Sequence, residues 1–365
     1  MILAAAGQPY LIIVTLFLAY AAVWWLTPLV IKLYRCCGWD KPHQGGRQKI
    51  KDTHVGNLPR GGGLAIGGGL FAVIIAGAII APAYFLFPWV GEELAATHDG
   101  LQLVLSIYAG ALIFIFLGWG DDVRDLSPLF RLGVNVVVAL LLWWSGLSID
   151  FVTNPLGSGV WHLNQVPFLA ALLTVIYFVA MVNITNWAKG VDGQLPGVVV
   201  IAAIFISVVS FRLTGKLNYN LLLGALVAGG YAGFLRWNFF PQKILPGFGA
   251  GALAGYFLAV LSILVGAKLA TLFMVLALPI ADAIFTIFRR IHAGKSIFLG
   301  DRGHLHHKLL DKLGWSRRQI ALFYYAVTLI MGVLALLLPT GGKIITFALV
   351  LLLVFYFLIW VKLHP

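Results

Sequence analysis

Runs of about 20 consecutive apolar residues recur along this chain, and nothing else in it constrains the fold so strongly, because a helix of that length crosses the ~30 Å hydrocarbon core of a bilayer. They lie at roughly 10–34, 61–88, 100–120, 131–147, 167–185, 195–212, 219–236, 246–266, 268–288, 319–339 and 344–362. With 61% hydrophobic and only 10% charged residues, the chain lacks the polar surface to coat a soluble globule. The fold class expected is an all-α polytopic integral membrane protein of about eleven transmembrane helices, one membrane domain over residues 1–365. The runs at 131–147 and 219–236 are the least regular, being short or interrupted by polar residues. All the runs are continuous rather than alternating, which argues against a β-barrel. No basic residue precedes the first run and it is too long for a cleavable signal, so it is expected to remain as a span.

Lysine and arginine set the orientation. With the N-terminus outside, the loops at 35–60, 121–130, 186–194, 237–245 and 289–318 and the C-terminus are cytoplasmic. Together with their flanks they hold every basic residue except Arg212, Lys216, Lys268 and Lys343. Among the acids, Glu92, Glu93, Asp99 and Asp150 fall outside, so the net charge of +12 sits on the cytoplasmic face. The positive-inside bias alone would produce this, and so would a face that receives anionic lipid and phosphorylated substrates. Cys36 and Cys37 are adjacent at a cytoplasmic helix end, where a structural disulfide is not expected.

Acidic and histidine motifs stand where apolar runs end, and charge at a membrane margin is usually functional. Loop 35–60 carries Asp40, Lys41, Arg47, Lys49, Lys51 and His54, then Pro59-Arg60-Gly61-Gly62-Gly63. Basic groups followed by glycines suit a phosphate, although glycine also serves close packing of membrane helices. In GWGDDVRDLSP, Asp121 and Asp122 differ by about 100° in direction on a helix, which allows one to hold a cation while the other positions or deprotonates a nucleophile. Asp125 returns to the face of Asp121 if that helix continues. The segment NITNWAKGVDGQLPG offers Asn183 and Asn186 for a base or sugar, Lys189 for phosphate and Asp192 for a metal or amide. Around Asp301, His304, His306 and His307, the residues Arg289, Arg290, Lys295, Arg302 and Lys308 suit a sugar diphosphate, with zinc as the competing use. Asp282 is expected deeper in the ninth span as an interhelical group.

Taken together, Pro59 to Gly63, GWGDDVRDLSP, the N-x-x-N segment ending in Asp192-Gly193, NFFPQKILPGFGAG from Asn238 to Gly251, and GDRGHLHH resemble the polyprenyl-phosphate N-acetylhexosamine-1-phosphate transferases. That family includes the phospho-N-acetylmuramoyl-pentapeptide transferases and the initiating enzymes of O-antigen and teichoic-acid linkage. The motifs run in family order from about residue 40 to 315. The resemblance implies attack of a polyprenyl phosphate on the β-phosphorus of a UDP-sugar, giving lipid-diphospho-sugar and UMP, with Mg²⁺ as cofactor. It implies a bacterial cytoplasmic membrane enzyme whose partners are undecaprenyl phosphate, a UDP-sugar and membrane lipid, without nucleic acid and with a homodimer left open. By resemblance, Asp121, Asp122 and Asp192 are catalytic, Asp122 and Asp192 hold metal, and Lys41, Asn183, Asn186, Lys189, Asn238, Arg302, His304, His306 and His307 bind substrate. UDP-N-acetylglucosamine is the default donor, because the H-x-H-H loop is similar to that of the branch using simple UDP-N-acetylhexosamines.

Two departures bear on the mechanism. Where the family has an aspartate before G-V-D-G this chain has Lys189, and where it has the metal-binding aspartate of I-F-M-G-D-x-G-S this chain has Phe248. Together they shift the local formal charge by about +3. Three expectations follow: a weaker Mg²⁺ site on the remaining aspartates, replacement of the metal's charge by Lys189, or a paralogue that binds lipid phosphate or nucleotide sugar as a scaffold without catalysis. A lipid transporter is the remaining alternative, opposed by the gathering of the motifs on one face rather than at mid-membrane.

Overall fold

A computed structural model describes residues 8–40, 57–80, 98–154, 159–215, 218–266, 268–297 and 302–363. The helices are α1 Gln8–Cys36, α2 Gly62–Ile80, α3 His98–Arg124, α4 Pro128–Trp144, α5 Pro167–Trp187, α6 Gln194–Thr214, α7 Tyr219–Asn238, α8 Gly247–Leu264, α9 Leu269–Val275, α10 Ala277–His292, α11 Leu305–Asp311, α12 Arg317–Leu337 and α13 Thr340–Leu363. Between α4 and α5, strands β1 Phe151–Thr153 and β2 Val160–His162 form a small antiparallel hairpin pairing Phe151 with His162. The protein is a polytopic, almost wholly helical membrane protein.

Among the described residues, eight helices are long and apolar enough to cross a bilayer, and nine if α9 and α10 count as one span. The two irregular runs of the sequence account for the difference from eleven. The first is α4, only 17 residues long. The second is α7, which carries Asn220, Arg236 and Asn238 and is less apolar than the spans. The run expected as one span at 268–288 is broken, α9 and α10 meeting at 84°. Pro279 has no N–H to donate to the carbonyl of Val275, the last residue of α9, so the helix restarts in a new direction.

α8 is the axis of the bundle, 94% of it buried against α2, α3, α5 and α6. Its small residues permit this, since van der Waals contact rather than hydrophobic expulsion drives helix association in lipid. A Cβ on Gly118 of α3 would lie 2.3 Å from the Gly249 Cα, and one on Gly63 of α2 would lie 2.6 Å from the same atom. A Cβ on Gly255 would meet the Met181 carbonyl of α5 at 2.4 Å. Buried hydroxyls tie the same helices together: Thr185 donates to the Gly251 carbonyl at 2.8 Å and Tyr256 to the Ile107 carbonyl at 2.6 Å. In α7, Gly229 and Gly233 seat against the backbone of α1 at Leu16 and Tyr20. The outer helices α1 and α13 expose Phe17, Trp25, Leu29, Leu352, Leu353 and Tyr356, as a lipid-facing surface requires.

Candidate active site

The packing of α8 brings its N-terminus beside the C-terminal end of α3, the α5–α6 turn, the α7–α8 loop and the start of α2. Residues 59–62 and 245 are joined by backbone bonds, Leu245 N–H to the Pro59 carbonyl at 2.8 Å and Gly62 N–H to the Leu245 carbonyl at 3.1 Å. The glycines of Pro59–Gly63 serve packing: Gly61 abuts Tyr34, Gly62 abuts Pro246 and Gly63 abuts Gly249. Of the two uses open to this motif, close helix approach is the one the structure displays.

Asp121 and Asp122 diverge as their helical spacing requires. Asp121 faces Arg131 of α4, whose Nη1 lies 3.0 and 3.1 Å from its two oxygens. Asp122 turns to α8, where Oδ1 accepts the Phe248 N–H at 2.9 Å and Oδ2 is buried without a hydrogen-bond partner. Asp125 does not return to the face of Asp121. α3 ends at Arg124, Asp125 adopts φ 49° and its N–H closes the helix on the Asp121 carbonyl at 2.9 Å. Its side chain lies 3.8 Å from Arg60 instead.

Lys189 extends from the α5–α6 turn and donates to the Gly247 carbonyl at the first residue of α8. Asn186, one turn earlier, packs its Cα beneath Gly251, with its Oδ1 buried and without a hydrogen-bond partner. Asn183 lies deeper and returns its amide to its own helix, donating to the Val179 carbonyl at 2.7 Å. Asn238 is buried with its amide engaged internally: it donates to Gln242 Oε1 and to the Ile244 carbonyl, both at 2.9 Å, and accepts the Gly193 N–H at 3.1 Å. It therefore joins the Asp192-Gly193 turn to the α7–α8 loop. Asp192 is buried beside it, accepting the Gln242 N–H at 3.2 Å, with Arg317 at 3.8 Å. Gly193 takes φ 78°, where glycine is unstrained, and its carbonyl accepts the Tyr325 hydroxyl at 2.6 Å.

The third part is α11 with the residues before it. His304 Nδ1 lies 2.9 Å from Asp282 Oδ2, while Asp282 Oδ1 accepts the Leu305 N–H at 2.7 Å. One carboxylate of α10 thus orients the imidazole and holds the first amide of α11, so Asp282, expected as an interhelical group, belongs to the histidine cluster. His304 and His306 stack with ring centroids 5.5 Å apart, and His307 lies 4.3 Å from His306. A Cβ on Gly190 would stand 2.1 Å from His306 Nε2, so Gly190 is the floor on which that ring rests. Burial, reinforced by the neighbouring histidines and Arg302, pushes His306 well below its ordinary range. Burial, then Arg302 and His304, lowers His307 to about 4. These two rings are neutral at pH 7 and act as hydrogen-bonding rather than cationic groups. Positive charge here comes from Arg290, which lies 5.7 Å over the Trp187 ring, and from Arg302, forked onto Asp311 at 2.6 and 2.9 Å. That fork raises Arg302 and holds the Asp311 carboxyl below its usual range.

Lys41 and Asp301 lie outside the described residues. Every other expected site residue except Asn183 belongs to this cluster of helix ends, although Asn238 spends its amide on the loop itself. Sequence reasoning missed Arg131, Gln242, Arg317 and Tyr325, and named Asp282 without its histidine partner. Only Arg131 carried a local signal, standing just inside a helix that Ser127 caps and Pro128 begins.

A Mg²⁺ ion needs several oxygen ligands at about 2.0–2.1 Å in near-octahedral array. Asp121 is committed to Arg131, while Asp192 and Asp122 hold Gln242 and Phe248, different parts of the α7–α8 segment. Asp122 Oδ2 faces Gly247 at the α8 N-terminus, and the carbonyl of that residue is taken by the Lys189 ammonium, while the Phe248 ring packs against Arg131. Among the described residues, no three His, Cys, Asp or Glu converge on a metal position, which bears on zinc equally. The described residues do not by themselves build a cage for a resident divalent cation.

The sequence profile of glycosyl transferase family 4 matches residues 104–266. A Bacillus subtilis protein named as a probable undecaprenyl-phosphate N-acetylglucosaminyl 1-phosphate transferase is 31% identical over 90% of this chain and 86% of its own length. A Mycobacterium leprae decaprenyl-phosphate N-acetylglucosaminephosphotransferase is 31% identical over 75% of this chain and 72% of its own. A phospho-N-acetylmuramoyl-pentapeptide-transferase of Clostridium botulinum is 25% identical over 79% of this chain and 86% of its own.

Proposed function

Because the chain belongs to glycosyl transferase family 4, we propose that it transfers N-acetylglucosamine-1-phosphate from UDP-N-acetylglucosamine to undecaprenyl phosphate, releasing UMP. The protein is an enzyme of the phosphoglycosyl transferase type. An oxygen of the lipid phosphate forms a bond to the β-phosphorus, the bond from that phosphorus to the bridging oxygen breaks, and its electron pair leaves on UMP. The observation that carries this reading is the convergence of Asp122, Lys189 and the histidine helix at the ends of helices of membrane length, where a lipid phosphate meets a soluble nucleotide.

Asp122 is the carboxylate suited to receive a proton from the lipid phosphate, since Asp121 is held by Arg131 and Asp122 keeps an oxygen without a hydrogen bond. Lys189 faces the diphosphate, and His304, His306 and His307 with Arg302 hold sugar or phosphate. The donor is supported by identity: the two relatives at 31% carry N-acetylglucosamine in their names, while the muramoyl-pentapeptide enzyme stands at 25%. The bacterial cytoplasmic membrane, an outside N-terminus, a cytoplasmic C-terminus and the full count of about eleven spans belong to the same proposal. Radiolabel transfer from a panel of UDP-sugars to undecaprenyl phosphate by the purified protein tests it. Product from UDP-N-acetylglucosamine is expected; none from any donor, beside an active relative, refutes it.

A further inference from the structure

Resting on that transferase reading, we propose that the centre around Asp122 works without a divalent cation, the positive charge facing the diphosphate being supplied by Lys189. Three groups border the first turn of α8. The Lys189 ammonium is anchored on the Gly247 carbonyl, the next residue's N–H holds Asp122 Oδ1 at 2.9 Å, and Asp122 Oδ2 is buried without a hydrogen-bond partner. A cation and a carboxylate oxygen are thus already set on one turn of backbone, and a compact ammonium is an effective point charge for phosphate.

Arg131 and Phe248 complete the arrangement. The guanidinium that neutralises Asp121 also lies 5.0 Å from the Phe248 ring centroid, so ring, guanidinium and carboxylate form one unit. A carboxylate at residue 248 would compete with Asp121 for that guanidinium; the benzyl group does not. Formal charge agrees. Aspartates at 121, 122, 189, 192 and 248 with one Mg²⁺ would total about −3, whereas the residues present, three aspartates and Lys189, total about −2 with no metal. The exchange of side chains supplies more positive charge than the ion it replaces. The step itself is unchanged: the bond from the lipid phosphate oxygen to the β-phosphorus forms, the β-phosphorus to bridging-oxygen bond breaks, and Lys189 offsets charge developing on the departing UMP.

The test combines two measurements on the purified full chain: transfer from UDP-N-acetylglucosamine in EDTA and in Mg²⁺, and Mn²⁺ titration followed by electron paramagnetic resonance. Expected are rates in EDTA within about twofold of those in Mg²⁺, no stoichiometric Mn²⁺ site, and a loss of about 100-fold in Lys189→Ala that Lys189→Arg partly restores. The double variant Lys189→Asp with Phe248→Asp is expected to gain one Mn²⁺ site. Transfer abolished by EDTA and restored by Mg²⁺, or one Mn²⁺ per wild-type chain, overturns the inference. Should no donor give product in either condition, the transferase reading fails, and the titration still decides whether the centre holds a cation, one ion per chain against the inference and none for it. Both deciding measurements use wild-type protein, so a double variant that does not fold leaves their outcome standing.

Discussion

Asp282→Asn isolates what the buried carboxylate of α10 does for the histidine cluster. Asparagine has nearly the same shape, and its Oδ1 can keep the Leu305 N–H now held at 2.7 Å. The atom facing His304 Nδ1, 2.9 Å away, becomes an NH₂ donor, so the imidazole must give up its Nδ1–H and adopt the other tautomer or turn away. A hydrogen bond to a charged group contributes about 1.5–3 kcal/mol, which at 1.36 kcal/mol per decade is about 10- to 150-fold if it all falls on the transition state. The assay is the initial rate of lipid-linked product, with kcat and both KM values, alongside apparent Tm in detergent. The expected result is a fall in kcat within that range at a Tm close to wild type. Asp282→Ala should also lower Tm, because it leaves the Leu305 N–H buried without an acceptor. An Asp282→Asn enzyme within twofold of wild type, or one whose loss follows its folded fraction alone, would refute a positioning role.

Arg131→Lys keeps a charge but loses both the paired contact to Asp121 and the stacking on Phe248; transfer should drop about tenfold or more, measured as kcat/KM, and an unchanged rate would remove Arg131 from the centre. Gly118→Ala should lower apparent Tm or abolish folded yield, since its Cβ would lie 2.3 Å from the Gly249 Cα and backbone must move; overpacking of this kind costs about 1–3 kcal/mol or more, and a wild-type melting profile would contradict the packing. His307, lowered from an ordinary 6.5 to about 4, takes up its proton in the unfolded chain first, so stability present above pH 6.5 is lost as pH falls towards 4, by up to about 3 kcal/mol. Apparent Tm should therefore fall between pH 7 and pH 4.5 and fall less in His307→Gln; an equal fall in both proteins would exclude His307 as a source.

Composition made the membrane class legible, because no arrangement of so few polar residues covers so many apolar ones in water. Breaks in helices were not legible, and two prolines show why. Pro28 lies inside α1 and leaves it continuous, its missing bond compensated by the Trp237 indole, which donates to the Trp24 carbonyl at 3.0 Å. Pro279, likewise within an apolar run, coincides with an 84° bend. Locally the two look alike; the donor that satisfies the carbonyl freed at Pro28 is 213 residues from it in sequence. Asp282 was legible as a buried interhelical group, but its partner was not, for the same reason. Its partner His304 is 22 residues distant, past the end of α10, beyond any periodic pattern. The glycines of Pro59–Gly63 had two readings, phosphate binding being the weaker of them on local grounds, and the approach of α8 displays the packing use.

The division of labour between Asp121 and Asp122 marks the boundary of what local reasoning reaches. Helical spacing requires adjacent carboxylates to face differently, but not which one stays available for chemistry. That is decided by the turn that follows. Asp125 leaves the helix at φ 49°, Ser127 caps α4 by accepting the Phe130 N–H at 3.2 Å, and Pro128 starts the helix with its backbone already set. The short reversal carries Arg131 back onto Asp121, whose charge is thereby matched, while Asp122 is left facing α8 with one oxygen bonded to an amide and one not. The helix-start signal at Ser127 and Pro128 therefore assigns the reactive carboxylate, and moving Arg131 by one position along α4 would rotate it by about 100° and release Asp121.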